Sequence, residues 1–308
     1  MHRFHERLVT KTRGAAVCLV LALLAPVLTG CGRHVVASPE ADHQAARELR
    51  KKLLAAKAET AEAAEDTAAP VATGWSTLSG RFTFAGTAPP RPAIKVDKDT
   101  EVCGVHPLLD ESVIVSSDGG LQNAVLFLRT TKPPVHPDYQ ASAAAKIVLD
   151  NRECRFEPHV EILRTSQMLL VKNSDPVGHN SNFQSNRNGS PNTSIPAADA
   201  REQKFPKAEP NPIKIGCNIH PWMGAWLIVR SDPYAAVSDA SGRFKIEKLP
   251  AGKPLEFQLW QEKAAFLKGV ELAGAPGLKV DGKGRFKVTL KADEPLELEI
   301  RVPAEAIR

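Results

Sequence analysis

From residue 75 onward the chain is written in short apolar runs that alternate with polar residues. WSTLSGRFTFAG, ESVIVSSDGGLQNAVLFLR and AKIVLD come first, separated by clusters of Gly, Pro and Asp. HVEILRTSQMLLVKN reads as two strands joined at 164–167, and after an Asn-, Ser- and Pro-rich loop over 180–212 the runs resume as PIKIGC and GAWLIVR. SGRFKIEKLPAGKPLEFQLWQE, GRFKVTLK and LELEIRV follow with a period of two. Side chains of a strand point to opposite faces in turn, so this period describes strands with one face buried. Short strands spaced by turn signals predict an all-β fold built from β-sandwiches. No stretch after residue 74 carries a competing helical period.

The first thirty residues are patterned differently. A basic stretch (Arg3, Arg7, Lys11, Arg13) precedes the apolar run AAVCLVLALLAPVL at 15–28. That run is interrupted by Pro26 and falls short of the roughly 20 apolar residues a spanning helix needs, but it suits the core of an export signal. The LTGC that ends at Cys31 resembles the bacterial lipobox, which implies cleavage before Cys31 and lipid on its thiol. Secretion with a free Cys31 is the alternative. Residues 1–30 are thus expected to be a lipoprotein signal peptide. The expected location is the periplasmic face of the outer membrane or the cell surface, reached through the lipid anchor. Residues 31–74 are rich in Ala and Glu and read as a polar tether. A helix over about 40–66 is supported by Glu48 and Lys52 at i,i+4 spacing, without an apolar stripe wide enough to pack a domain.

Composition changes this picture in two places. With 43% hydrophobic residues, 6% aromatics, 24 prolines and 20 glycines, the chain suits a loop-rich β protein. Its 40 Lys+Arg against 35 Asp+Glu give a formal charge of +5, but the leader holds four of the bases and one acid, so the remainder is 36 against 34. A net +2 with both signs mixed excludes nucleic acid as a partner. Five cysteines are too few for a disulfide scaffold. Cys18 leaves with the signal and Cys31 is the anchor, which leaves Cys103, Cys154 and Cys217 to explain.

Cys217 opens the motif C-x-x-H-x-x-M, completed by His220 and Met223, at the end of the strand PIKIG. Thirty-eight residues upstream, LLVKN runs into SDPVGHN and places His179 just past a strand end. Two imidazoles and a thiolate with a weak axial thioether make the blue-copper electron-transfer site, because Cu(I) favours soft sulfur while Cu(II) accepts imidazole. Three ligands on one tight loop converge if the fourth arrives from an adjacent strand, which His179 is placed to do. Pro221 stiffens the loop, Asn180 and Asn218 are candidates for hydrogen bonds that orient it, and Trp222 is placed to shield the metal or shape a docking surface. Zinc held by His179, Cys217 and His220 is the rival reading, weakened because Met is a poor zinc ligand. His159, in EPHV, either approaches the site from a neighbouring strand or is structural. Met168, Trp226 and Trp260 read as core.

KNSDPVGHN followed by CNIHPWM resembles the plastocyanin/azurin (cupredoxin) family, and the two residues between His and Met look most like amicyanin. The longer context also resembles exported bacterial proteins labelled methylamine-utilisation-like or plastocyanin-like. The resemblance implies a Greek-key sandwich with one type 1 copper, His179, Cys217 and His220 equatorial and Met223 axial. On this reading residues 75–230 form a cupredoxin-like domain with an N-terminal β extension and a core at about 145–230. Residues 231–308 resemble the carboxypeptidase regulatory-like β-sandwich and form a second, smaller module. Cys103 and Cys154, left over in an oxidising compartment, are expected to pair. The function expected is single-electron transfer with no bond-making chemistry. The partner would be a redox protein such as a c-type cytochrome or dehydrogenase, docking at an exposed edge of the His220 loop. Copper delivery or sequestration, or an envelope interaction module without redox turnover, is the second hypothesis. A multicopper oxidase would need His-x-His clusters, and the chain contains none.

Overall fold

Alternation along the sequence becomes alternation of burial in the structure, a computed structural model that describes residue 42, residues 44–53 and residues 72–307. The signal-like leader and Cys31 lie outside the described residues. Contacts divide the chain into two units, 1–62 and 63–308. In the first, residues 44–53 form helix α1, exposed along its whole length. Asp42 caps it, its side chain accepting from the backbone N–H groups of Gln44 and Ala45 at 3.0 and 2.9 Å. Glu48 and Lys52 both lie on this helix, and no face of it is buried.

The second unit begins with β1 (Trp75–Ala85), a one-turn helix α2 (Thr100–Cys103), β2 (Ile114–Val115), β3 (Leu121–Gln122) and β4 (Val125–Leu128). The middle of the chain supplies β5 (Lys146–Arg152), β6 (Arg155–Glu157), β7 (Val160–Arg164), β8 (Met168–Asn173), β9 (His179–Phe183), β10 (Asn192–Ile195), β11 (Ala200–Gln203), β12 (Ile213–Gly216) and β13 (Gly224–Arg230). The end supplies β14 (Ala235–Val237), β15 (Arg243–Pro250), β16 (Pro254–Gln261), β17 (Ala265–Phe266), β18 (Glu271–Ala273), β19 (Arg285–Thr289) and β20 (Leu296–Pro303). The fold class is all-β.

The middle strands make one sandwich. Its sheets run in the orders β10-β9-β12-β13-β7 and β11-β8-β5-β6. Between them lies a core that includes Leu149, Phe156, Leu169, Phe183, Phe205 and Leu227, and the same core takes in Cys217 and Met223. β8 shows how the pattern works. Leu169, Val171 and Asn173 are buried while Leu170 and Lys172 between them are not. The ladder β5–β8 is parallel, as is β13–β7, and β9–β12 and β12–β13 are antiparallel.

The boundary drawn from sequence at residue 230 does not separate the sheets. β1, ahead of the middle strands, pairs in parallel with β20 and antiparallel with β15, in the order β15-β1-β20-β18. β4 lies between β14 and β16 in the facing sheet, which continues to β17 and also pairs β16 with β19. The N-terminal strands therefore complete the C-terminal sandwich, whose core includes Leu78, Phe82, Leu126, Phe257, Phe286 and Ile300. The metal-motif sandwich is inserted between β4 and β14, which are themselves paired, Ala235 opposite Phe127. The physical reason is hydrophobic: β4 is buried along its whole length, so it needs cover on both faces, and alternation alone does not say which strands provide it. Gly242 fits this arrangement. Its φ is +78° and a Cβ there would lie 2.3 Å from the Phe82 carbonyl oxygen of β1.

The outer face of the β4–β16 sheet packs on the metal-motif sandwich. Val125, Phe127 and Trp260 from one side meet Val160 and Ile228 from the other, with Trp226 against them. Four sheets are thus stacked through three apolar layers.

Candidate metal centre

β9 begins at His179 and β12 ends one residue before Cys217, and these two strands are neighbours, Gly216 opposite Asn182. Pairing in the sheet therefore delivers His179 to the end of β12 where the C-x-x-H-x-x-M loop begins. The loop closes on itself. The His220 N–H donates to Cys217 Sγ at 3.4 Å, the Met223 N–H to the His220 carbonyl at 2.9 Å, and the Cys217 N–H to the Met223 carbonyl at 3.3 Å.

The two imidazoles turn their Nδ1 atoms toward each other, 2.9 Å apart, and Cys217 Sγ lies 3.8 Å from His220 Nδ1. One ligand atom from each of His179, Cys217 and His220 falls within 4.8 Å of the other two. Both imidazoles are fully buried, and Cys217 and Met223 are nearly so. Met223 lies in the same apolar core as Cys217. Cys217 is a free thiol, and Cys103 and Cys154 form a disulfide with Cα atoms 5.4 Å apart.

Each imidazole is fixed from behind by a carboxylate. His179 Nε2 is 2.9 Å from Asp175 Oδ2, and His220 Nε2 is 2.8 Å from Asp99 Oδ2. This leaves Nδ1 of both rings facing the thiol, the arrangement in which an outer partner selects the tautomer and orients a metal-binding ring. Asp175 also accepts the N–H groups of Glu153 and Cys154 at 2.7 and 2.9 Å. Burial pushes its carboxyl up, but the His179 bond and these two backbone donors outweigh that and hold it below the ordinary value.

The same balance acts on Cys217 and His179. Burial pushes the Cys217 thiol up, yet hydrogen bonds to the sulfur from His179, from the Asn180 backbone and from His220 bring it down to about 6. Burial lowers His179, yet its bonds to Asp175 and Cys217 raise it to about 9. The centre thus stabilises a thiolate with positive charge beside it, which is the charge a bound cation supplies.

Asn180 and Asn218 lie where the ligand loops meet. Asn180 Oδ1 accepts the Asn218 N–H at 2.8 Å and the Cys217 thiol at 3.4 Å, while Asn218 Oδ1 accepts from Asn182 at 3.2 Å. Trp222 sits 5.1 Å from the His220 ring, centroid to centroid, and its indole N–H donates to the Cys154 carbonyl at 3.1 Å. Pro221 is exposed on the loop.

His159 does not join this group. It precedes β7 on the side that faces the other sandwich, where Nε2 bonds to Glu262 and Nδ1 is 3.7 Å from Glu111. The His220 ring itself is fully buried beneath the segment carrying Asp99, while Asn218, Ile219 and Pro221 leave an exposed edge on the loop. Sequence reading missed Asp175 and Asp99. Asp175 had a signal, standing four residues before His179 in SDPVGHN; Asp99, 121 residues from His220, had none.

No family model matches the chain, and no curated protein matches it. Among solved structures the chain is similar to a variant of amicyanin in its reduced Cu(I) form, with 18% identity over 34% of this chain and 98% of that one and a TM-score of 0.25. It is similar to a purple cupredoxin from Nitrosopumilus maritimus, with 20% identity over 28% of this chain and 98% of that one and a TM-score of 0.24. It is also similar to the copper-containing nitrite reductase of Thermus scotoductus SA-01, with 16% identity, 27% of this chain covered and a TM-score of 0.25, and it spans 22% of that enzyme's length.

Proposed function

We propose that this chain is a one-electron carrier whose one copper ion would be held by His179, Cys217 and His220, with the Met223 thioether as a further, weak donor. The observation that carries the reading is the convergence of two inward-facing Nδ1 atoms 2.9 Å apart on a thiol 3.8 Å from one of them. The donor set fits the metal: one thiolate, two imidazoles and a neighbouring thioether suit copper in both oxidation states, whereas the thioether is a poor donor for zinc. Copper bound there supplies a one-electron couple and no bond-making step is required of the protein. The residues do the rest. Asp175 and Asp99 hold the rings in one orientation, Asn180 ties the two ligand loops together, and the apolar core around Cys217 and Met223 excludes water. A rigid, dry site changes little between oxidation states, which favours fast transfer.

Full burial of the proposed ligands speaks against delivery, since a donated ion must leave through an exposed side. The setting we propose is the cell envelope, with the chain anchored through lipid on Cys31 and exchanging electrons with a partner such as a c-type cytochrome or dehydrogenase. The test is to add Cu(II) to the purified metal-free protein and record the visible spectrum. An intense thiolate-to-copper charge-transfer band, lost in Cys217→Ser, is expected. A colourless protein, or colour that survives Cys217→Ser, refutes the reading.

A further inference from the structure

The cover over His220 is built from a segment far away in sequence. Residues 92–110 form a loop closed at its neck, where Ala93 bridges Leu109, the Ile94 N–H donates to the Leu108 carbonyl at 2.9 Å and the Asp110 N–H to the Pro92 carbonyl at 2.9 Å. Its far end carries Asp99 and α2. The Asp99 carbonyl accepts the N–H groups of Val102 and Cys103 at 2.9 and 2.7 Å, and Cys103 is bonded to Cys154. Cys103, Cys154 and Leu108 form a buried cluster with Trp222 packed against it. The residue that touches His220 Nε2 is therefore tied through two backbone hydrogen bonds to a covalent anchor beside the site. Asp99 itself has φ of 45° and ψ of 44°, the left-handed region that Gly adopts freely and that Asn and Asp tolerate better than other residues.

We propose that Asp99 is a positioning residue of the metal centre. It holds His220 with Nδ1 turned inward and Nε2 closed to solvent, and its negative charge favours bound Cu(II) over Cu(I). The inference rests on the copper reading above. A carboxylate on the outer nitrogen makes an imidazole a more basic ligand, and a negative charge this close stabilises the more highly charged metal. The His220 ring is fully buried and offers no bare edge to a partner.

The full chain with two substitutions tests this. Asp99→Asn keeps an acceptor oxygen and removes the charge; Asp99→Gly removes both and suits the positive φ. Both variants are expected to raise the reduction potential of the copper-loaded protein, by about 59 mV for each tenfold change in the ratio of Cu(II) to Cu(I) affinity. In the metal-free protein, diethyl pyrocarbonate is expected to acylate His220 about tenfold faster in the Gly variant than in the wild type or the Asn variant. Peptide mass spectrometry reads the site, and His179 should stay unreactive in all three. If copper binds with the expected colour but the Gly variant keeps both the wild-type potential and the wild-type His220 reactivity, the role of Asp99 is overturned while the copper reading stands. If no copper binds, the copper reading fails, and equal acylation of His220 in wild type and Gly variant overturns the holding role by itself.

Discussion

Trp226 on β13 and Trp260 on β16 meet edge to face, ring centroids 5.0 Å apart, and they belong to different sandwiches. Trp260 is buried and lies in the apolar layer that joins the two. Truncating a buried Trp costs about 3–5 kcal/mol, so Trp260→Ala is expected to lose an amount in that range by urea unfolding of the full chain. A double-mutant cycle with Trp226→Ala should return about 0.5–1.5 kcal/mol of coupling. Additive effects would mean that the aromatic contact contributes nothing beyond area.

The same joint holds a titrating group. Burial lowers His159, but its hydrogen bond to Glu262 and the charges of Glu262 and Glu111 outweigh this and hold its pKa above that of an ordinary imidazole. The folded state therefore binds the proton more tightly than the unfolded chain. The stability gained is full below the unfolded value and is lost as pH rises through the folded one. Burial also raises Glu111 against the opposing charges of His159 and Arg155, which gives the same sign in the acidic range. Unfolding free energy should therefore fall as pH rises above the ordinary histidine range, and His159→Gln should make that fall smaller. A wild-type curve as flat as the variant's would contradict the assignment.

Asp175 serves three donors at once: the Glu153 and Cys154 backbone N–H groups and His179 Nε2. Asp175→Ala leaves all three without this acceptor in a buried place. An expected cost of about 3 kcal/mol in metal-free stability follows, together with a loss of about 10–100-fold in metal affinity. Asp175→Asn keeps one acceptor oxygen and should lose less of both. Calorimetric metal titration beside chemical denaturation separates the two effects.

Cys103 and Cys154 are 51 residues apart in sequence. Closing a loop of that size is worth about 4 kcal/mol in the chain-entropy model. Replacing both by Ser should lower stability by roughly that amount, and adding reductant to the variant should change nothing further. A variant as stable as the oxidised wild type would show that the covering loop holds without its covalent anchor.

Much of this was legible in the sequence. Period-two alternation in RFKIEKLP of β15 and MLLVKN of β8 gave the strands, and burial follows it in both. The spacing of Cys217, His220 and Met223, with His179 just past a strand end, marked the side chains that the fold brings together or buries in one core, although His179 opens a strand of its own. The pairing of Cys103 with Cys154 was reached by elimination and is present. What stayed hidden depends on partners rather than patterns. Alternation tells a strand which face is buried and not what covers it, so nothing in WSTLSGRFTFA announced that β1 would lie parallel to β20. Asp99 looks like any exposed acid until the chain folds back, and its side chain remains 43% exposed even while it bonds to a fully buried ring. His159 was ambiguous because a strand-end histidine carries no mark of which side it faces; Glu262, its partner, lies 103 residues away.

Insertion of one sandwich between two paired strands of another also sets an order in time. β1 lies beside β20, and β4 beside β14 and β16, so a chain growing from its N-terminus makes β1 and β4 long before their partners exist. The strands β5–β13 have all their ladder partners among themselves. They can close as soon as they emerge, with Asp99 and Cys103 already synthesised and available to dock on His220 and Cys154. The sandwich that carries the candidate metal centre can therefore close while the sandwich that frames it still waits for its second half. Contacts of such long sequence separation form slowly. The frame, not the site, is thus expected to set the pace at which the whole protein becomes compact.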